Sequence, residues 1–189
     1  MEDLDLIDAI LNGDKRSFEI LFYRYEKEIS KYIYAYVKNI SETEDIVQEV
    51  FISVYNKLFT FKSGKNFRPW LYAIARNKTI DYLRKSKKAI FVDIDDRNIK
   101  ITEQEYHPED MAEFKETKAI IENFIKILSF KNREVLYLKY YNQDMTFSQL
   151  AQILNISEGA AKRRYYSIYK KYISYIKKNK TLGGDNSEV

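Results

Sequence analysis

The chain has no cysteine and a single histidine, His107, in 189 residues. Disulfides and thiolate metal sites are therefore excluded, and His107 has no partner histidine at the ligand spacing that zinc requires. Only five glycines and two prolines are present. Strand-rich folds need many tight turns, which these residues supply, so their scarcity favours helices. No stretch approaches the roughly 18–20 consecutive apolar residues of a membrane-spanning helix. The N-terminus MEDLDLIDAI is acidic and amphipathic rather than basic and apolar, unlike a secretory signal. A cytoplasmic protein without membrane insertion is the expectation. There is also no Gly-rich phosphate loop and no His-based catalytic triad, so neither an enzyme nor a cofactor is expected.

What is abundant is tyrosine, seventeen of them, together with lysine and glutamate. Tyrosine suits a half-buried helix face and also stacks on bases. The net charge of +4 is modest, but its distribution is not even. Phe61 to Lys88 holds nine basic residues against Asp81 alone, and Lys162 to Lys180 holds eight with no acid. Between them, Ile90 to Asp110 carries seven acids against Arg97 and Lys100. Two basic, aromatic surfaces held apart by an acidic stretch suggest a protein that grips two places on one nucleic acid.

Helical periodicity organises the rest. Phe18, Leu21, Phe22, Tyr25, Ile29, Ile33, Tyr36 and Val37 form one buried stripe, and Ile46, Val47, Val50, Phe51, Val54 and Leu58 form the next. Ser41 with Glu44 predicts a capping box ahead of the second helix. After a loop from Thr60 to Phe67, Pro69 suits the first turn of a helix running to about Arg84. The pattern lapses from 89 to 110, which reads as an acidic linker. The paired Asp95 and Asp96 read there as solvated charge rather than a metal dyad. It resumes from 111 to 180, and 181–189 reads as a disordered tail. The expected fold is all-α: two small helical domains, 1–88 and 111–180, joined by that linker.

Within the second domain, Thr146 and Gln149 repeat the capping-box pattern. Two short helices then meet at Leu154-Asn155-Ile156-Ser157. Asparagine tolerates the left-handed backbone such a turn needs, Ser157 can cap the following helix, and Ala151 is small where the two helices cross. This is a helix-turn-helix pattern, whose second helix enters the major groove of duplex DNA. That helix carries Lys162, Arg163, Arg164 and Tyr166.

The run Glu44-Asp45-Ile46-Val47-Gln48-Glu49-Val50-Phe51, then Trp70-Leu71-Tyr72-Ala73-Ile74-Ala75-Arg76-Asn77 and Asp81-Tyr82-Leu83-Arg84, resembles region 2 of the extracytoplasmic-function RNA polymerase sigma factors. Asn132-Arg133-Glu134-Val135, Gln149 to Leu154 and Ser157 to Lys162 resemble region 4 of the same family, in the family's order. The resemblance implies binding to core RNA polymerase through Asp45, Gln48 and Glu49. It implies −35 DNA contacts at Ser157, Lys162, Arg163, Arg164 and Tyr166. It also implies capture of melted −10 DNA by Phe61, Lys62, Lys65, Asn66, Phe67, Arg76, Asn77 and Arg84. For Phe61 and Phe67 a place in the core competes with base stacking. The partners implied are core polymerase, promoter DNA and, as often in the family, an anti-sigma factor. The chain departs from the family where Ala160 and Ala161 replace the frequent Thr and Val, Ser167 replaces a frequent Arg, and Lys78 replaces an apolar residue. A stand-alone helix-turn-helix regulator is the alternative, and a helical interaction protein without DNA binding is the third reading.

Overall fold

A computed structural model describes residues 2–62, 65–86 and 112–183. Every regular element among them is helical: α1 (Asp3–Leu11), α2 (Lys15–Val37), α3 (Ile40–Lys57), a 3-10 turn (Leu58–Thr60), α4 (Phe67–Lys85), α5 (Ala112–Lys126), α6 (Phe130–Tyr141), α7 (Phe147–Leu154) and α8 (Glu158–Gly183). The acidic 89–110 stretch, with His107, Asp95 and Asp96, lies outside the described residues, as do 184–189. The helical pattern therefore continues through Gly183, beyond the Lys180 end read from the sequence.

Chain packing divides the protein into two compact units. One comprises Met1–Ile90 with Tyr137–Ala161, and the other comprises Phe91–Leu136 with Lys162–Val189. The helix-turn-helix turn thus packs with the first ninety residues, an association that the linear order of the sequence does not display.

In the first unit, α1 lays Leu6, Ile7 and Ile10 against α2, and its Asp3 holds Arg24 at 2.5 Å and the Tyr25 hydroxyl. The helix starts on a reciprocal capping box between Glu2 and Asp5. Asp14 caps α2 by accepting from the Arg16 N–H at 3.0 Å. Leu21, Tyr25, Ile29 and Ile33 recur every four residues along α2 and are all buried, which is how a 3.6-residue repeat turns periodicity into a core stripe. Lys38 then takes the left-handed conformation (φ 56°) that ends α2. Because the chain reverses there, Asn39 caps α3 by accepting from the Glu42 N–H at 3.0 Å. The Ser41 cap expected from the sequence is two residues late. Ile46, Val47, Val50, Phe51 and Val54 bury the inner face of α3, and Leu71, Tyr72, Ala75 and Leu83 do so for α4. α7 packs directly on α4. Burying a Leu or Phe side chain contributes about 1.5–3 kcal/mol, so this four-helix interior is the main source of the unit's stability.

In the second unit, Phe124 of α5 is buried and packs its ring against Tyr172 and Tyr175 of α8, at 5.2 and 5.5 Å between centroids. Two of the seventeen tyrosines thus act as core-facing aromatics on a helix whose other face is basic.

Candidate nucleic-acid interfaces

The turn between α7 and α8 is built from short polar side chains. Thr146 Oγ1 accepts from the Gln149 N–H at 3.2 Å, and Gln149 Oε1 accepts from the Thr146 N–H at 2.9 Å. Both orphan donors at the start of α7 are thereby satisfied. Asn155 ends α7 in the left-handed region, φ 53° and ψ 50°, and the Ile156 N–H reaches back to the Ala151 carbonyl at 3.0 Å. Ser157 Oγ then accepts from the Ala160 N–H at 3.2 Å. Ser157 therefore spends its acceptor on the cap while its own O–H stays available as a donor. Ala161 is wholly buried, so its missing methyl groups concern packing rather than an exposed contact. Along α8, Lys162, Arg163 and Tyr166 are exposed and Arg164 is half-buried.

The loop before α4 differs from a base-stacking pocket. Phe61 and Phe67 are buried, and with Trp70 they form a ring cluster with centroids 5.4–5.7 Å apart. Phe67 also meets Tyr25 edge-on at 5.5 Å. Edge-to-face packing and burial favour the core, so these two rings anchor the loop and present no free face to a base. Lys62, Lys65 and Asn66 are exposed around them, and Asn66 Oδ1 caps α4 through the Arg68 N–H at 3.1 Å. Ser63 and Gly64 lie outside the described residues. On α4, Asn77 and Arg84 are exposed and, being seven residues apart, share one face; Arg76 is half-buried on a neighbouring one. Asp81 stands beside Arg84 at 3.6 Å, a surface pair of little energetic weight.

Asp45, Gln48 and Glu49 are exposed on α3 at the i, i+3, i+4 spacing of a single face. Glu49 accepts from Lys78 Nζ of α4 at 3.1 Å, so the residue that departs from the apolar norm finds an ionic partner here. The same α3 face continues into exposed Ile52 and Tyr55, and Phe59 beyond it is 75% exposed. These apolar residues were not singled out from the sequence. Their signal was present, because they fall off the 46, 47, 50, 51, 54 core stripe.

A polar cluster joins three elements of the first unit. Arg68 Nη2 donates to Glu28 at 2.9 Å and Nη1 to Asp144 at 2.6 Å. The Tyr72 hydroxyl donates to Asn142 Oδ1 at 2.7 Å, and both side chains are buried. Burial, then the Glu28 charge, pushes the Tyr72 phenol well above its ordinary pKa, so it remains a donor. Burial works against the charge on Arg68, but Glu28 and then Asp144 outweigh it and raise its pKa. Among the described residues, no group of three or more His, Cys, Asp or Glu is placed to hold a metal ion. None of the described helices is long and apolar enough to cross a membrane.

Comparison with known proteins bears directly on these surfaces. The Sigma-70 region 2 family model matches residues 21–89, the segment containing α3 and α4. A second model, defined only as a protein of unknown function (DUF722), matches residues 74–174 and carries no activity with it. The ECF RNA polymerase sigma factor SigW of Bacillus subtilis is 32% identical over 167 residues, covering 85% of this chain and 89% of the relative. The chain belongs to the extracytoplasmic-function RNA polymerase sigma factors. Such a sigma factor binds core RNA polymerase, directs it to specific promoters and initiates transcription there. The E. coli K12 sigma-E factor is 25% identical over 173 residues, covering 88% and 90% of the two chains. Among solved structures, CnrH in complex with the cytosolic domain of CnrY shares the fold with a TM-score of 0.67 at 20% identity, over 93% of this sigma factor and 97% of that chain. RpoE of Bartonella quintana, in complex with the anti-sigma factor NepR, gives 0.60 at 19% identity, over 86% and 98%.

Proposed function

We propose that this sigma factor divides promoter recognition between its two ends. The segment 1–88 binds core polymerase and melts the −10 element, 89–110 is a linker, 111–180 reads the −35 element, and 181–189 is a tail. The observation that carries this is the doubly capped turn at Asn155, followed by a helix with exposed Lys162, Arg163 and Tyr166. Cationic groups on the early turns of such a helix are placed for phosphates and guanine edges, with Arg164 and the Ser157 O–H as further phosphate contacts.

On the −10 side, Arg76, Asn77 and Arg84 line α4, and Lys62, Lys65 and Asn66 surround its entry loop. Countercharge and amide groups suit the backbone and edges of an unpaired strand. Phe61 and Phe67 support that loop from below. Capturing unpaired bases shifts the duplex equilibrium toward the melted form without any bond chemistry, so the protein acts by binding alone. Asp45, Gln48 and Glu49 form the polymerase-docking face, where acidic charge complements a basic partner.

Acting with polymerase places the protein in the cytoplasm. The solved relative RpoE is held by an anti-sigma factor, and an anti-sigma partner is proposed here too. Run-off transcription with core enzyme on a genomic promoter library tests the division. Footprints should cover two elements upstream of each start site. Transcription requiring only one element would refute it.

A further inference from the structure

We infer that the α6–α7 turn is a latch that holds the helix-turn-helix closed against α2 and α4, and that this latch must open before both promoter elements are read. The inference rests on the two-element reading above. If α4 binds −10 DNA and α8 binds −35 DNA, about 25 base pairs lie between them. At ~3.4 Å per base pair that is on the order of 85 Å of duplex. Yet α7, which leads into α8 through a turn of a few residues, packs directly on α4. The packed arrangement therefore cannot span both elements.

The contact has the chemistry of a reversible closure. Asn142 is 1% exposed, with Oδ1 accepting from Tyr72 at 2.7 Å and Nδ2 donating to the Leu138 carbonyl at 3.1 Å. Two residues on, Asp144 holds Arg68 at 2.6 Å while Arg68 keeps Glu28 on its other nitrogen at 2.9 Å. Tyr36 and Tyr137 meet edge-on beside them, at 5.0 Å. On opening, Tyr72, Asn142, Arg68 and Asp144 all regain water, so each neutral bond favours the closed form by only about two- to tenfold. Arg68 keeps Glu28 in either state. Polymerase and DNA that bind only the open form shift the equilibrium by their differential affinity, and closure lowers the apparent affinity by the open fraction.

Tyr72→Phe keeps the ring against Tyr32, at 5.5 Å, but leaves the buried Asn142 oxygen without its donor. That loss costs the closed form alone and favours opening about five- to a hundredfold. Asp144→Asn is the milder variant. Its side chain is 74% exposed, so the fold does not depend on it, and the shift should be at most a few-fold.

Because the chain lacks cysteine, Lys31→Cys with Gln152→Cys places two dyes on exposed sites of α2 and α7 in the full-length protein. Energy transfer should be high in the free chain, fall in Tyr72→Phe at unchanged circular dichroism, and fall in the parent when core polymerase and promoter DNA are both bound. Low transfer in the free parent, or unchanged transfer in folded Tyr72→Phe, overturns the latch. A footprint covering both elements with transfer still high also overturns it. A footprint confined to one element overturns instead the two-element reading, and the latch with it.

Discussion

At the scale of single residues, side chains of one type serve opposite ends. Tyr25, Tyr72 and Tyr141 are pushed above the ordinary tyrosine pKa, in each case first by burial, and Tyr25 also by its bond to Asp3. Their folded pKa values exceed the unfolded value of 10.0, so the stability they contribute is complete below pH 10 and is lost as pH rises beyond it. Thermal midpoints should be flat between about pH 8 and 9.5 and decline above pH 10, and ultraviolet titration of the folded protein should leave at least these three phenols protonated until it unfolds. Tyr166, by contrast, is 55% exposed on α8, beside Arg163. Arg163→Ala should weaken −35 duplex binding by about 1–3 kcal/mol and relax preference at one base pair. Equal weakening on every sequence in a mobility-shift series would reassign Arg163 to a phosphate. The left-handed Asn155 and the Ser157 cap were legible in the sequence because few residue types satisfy those backbone demands. Phe61 and Phe67 were not, because an aromatic ring suits a base and a core equally well, and only burial separates the two.

At the scale of elements, periodicity identified the helices, while their boundaries depended on local hydrogen bonds. Thr146→Ala removes one half of the α7 capping box and should cost about 0.5–2 kcal/mol in urea unfolding, with Gln149→Ala less than additive because the two caps are reciprocal. The α3 start was displaced from Ser41 to Asn39 because left-handed Lys38 turned the chain earlier than the sequence suggested. The outer face of α3 tests polymerase docking. Asp45→Lys should weaken core binding with helical circular dichroism unchanged; equal affinity for core would remove Asp45 from the interface. Asp45 is the cleaner site than Glu49, whose reversal would also set two cations together by breaking the pair with Lys78.

At the scale of the molecule, promoter opening needs the loop and α4 to act together, since unstacking a base costs a few kcal/mol, more than one polar contact returns. Asn77→Ala should leave core binding and −35 binding nearly intact while impairing open-complex formation, read by permanganate reactivity on linear promoters. The defect should persist on a pre-melted bubble if Asn77 recognises the exposed strand, and full activity on both templates would remove it from the site. Packing at this scale also set Lys78 against Glu49 and drew residues 137–161 onto α4, and no window of sequence reports either.

The sequence by itself determined the helical class, the family, the helix-turn-helix with its caps, and the segregation of basic surfaces, because each rests on contacts within a few residues or on composition. The tertiary structure alone decided that Phe61 and Phe67 face inward, that Arg68 bridges Glu28 and Asp144, and that Tyr72 meets Asn142. Those pairs join residues up to 76 positions apart through single polar atoms. Such contacts leave no periodic trace along the chain, and they exist only once apolar burial has brought the helices together.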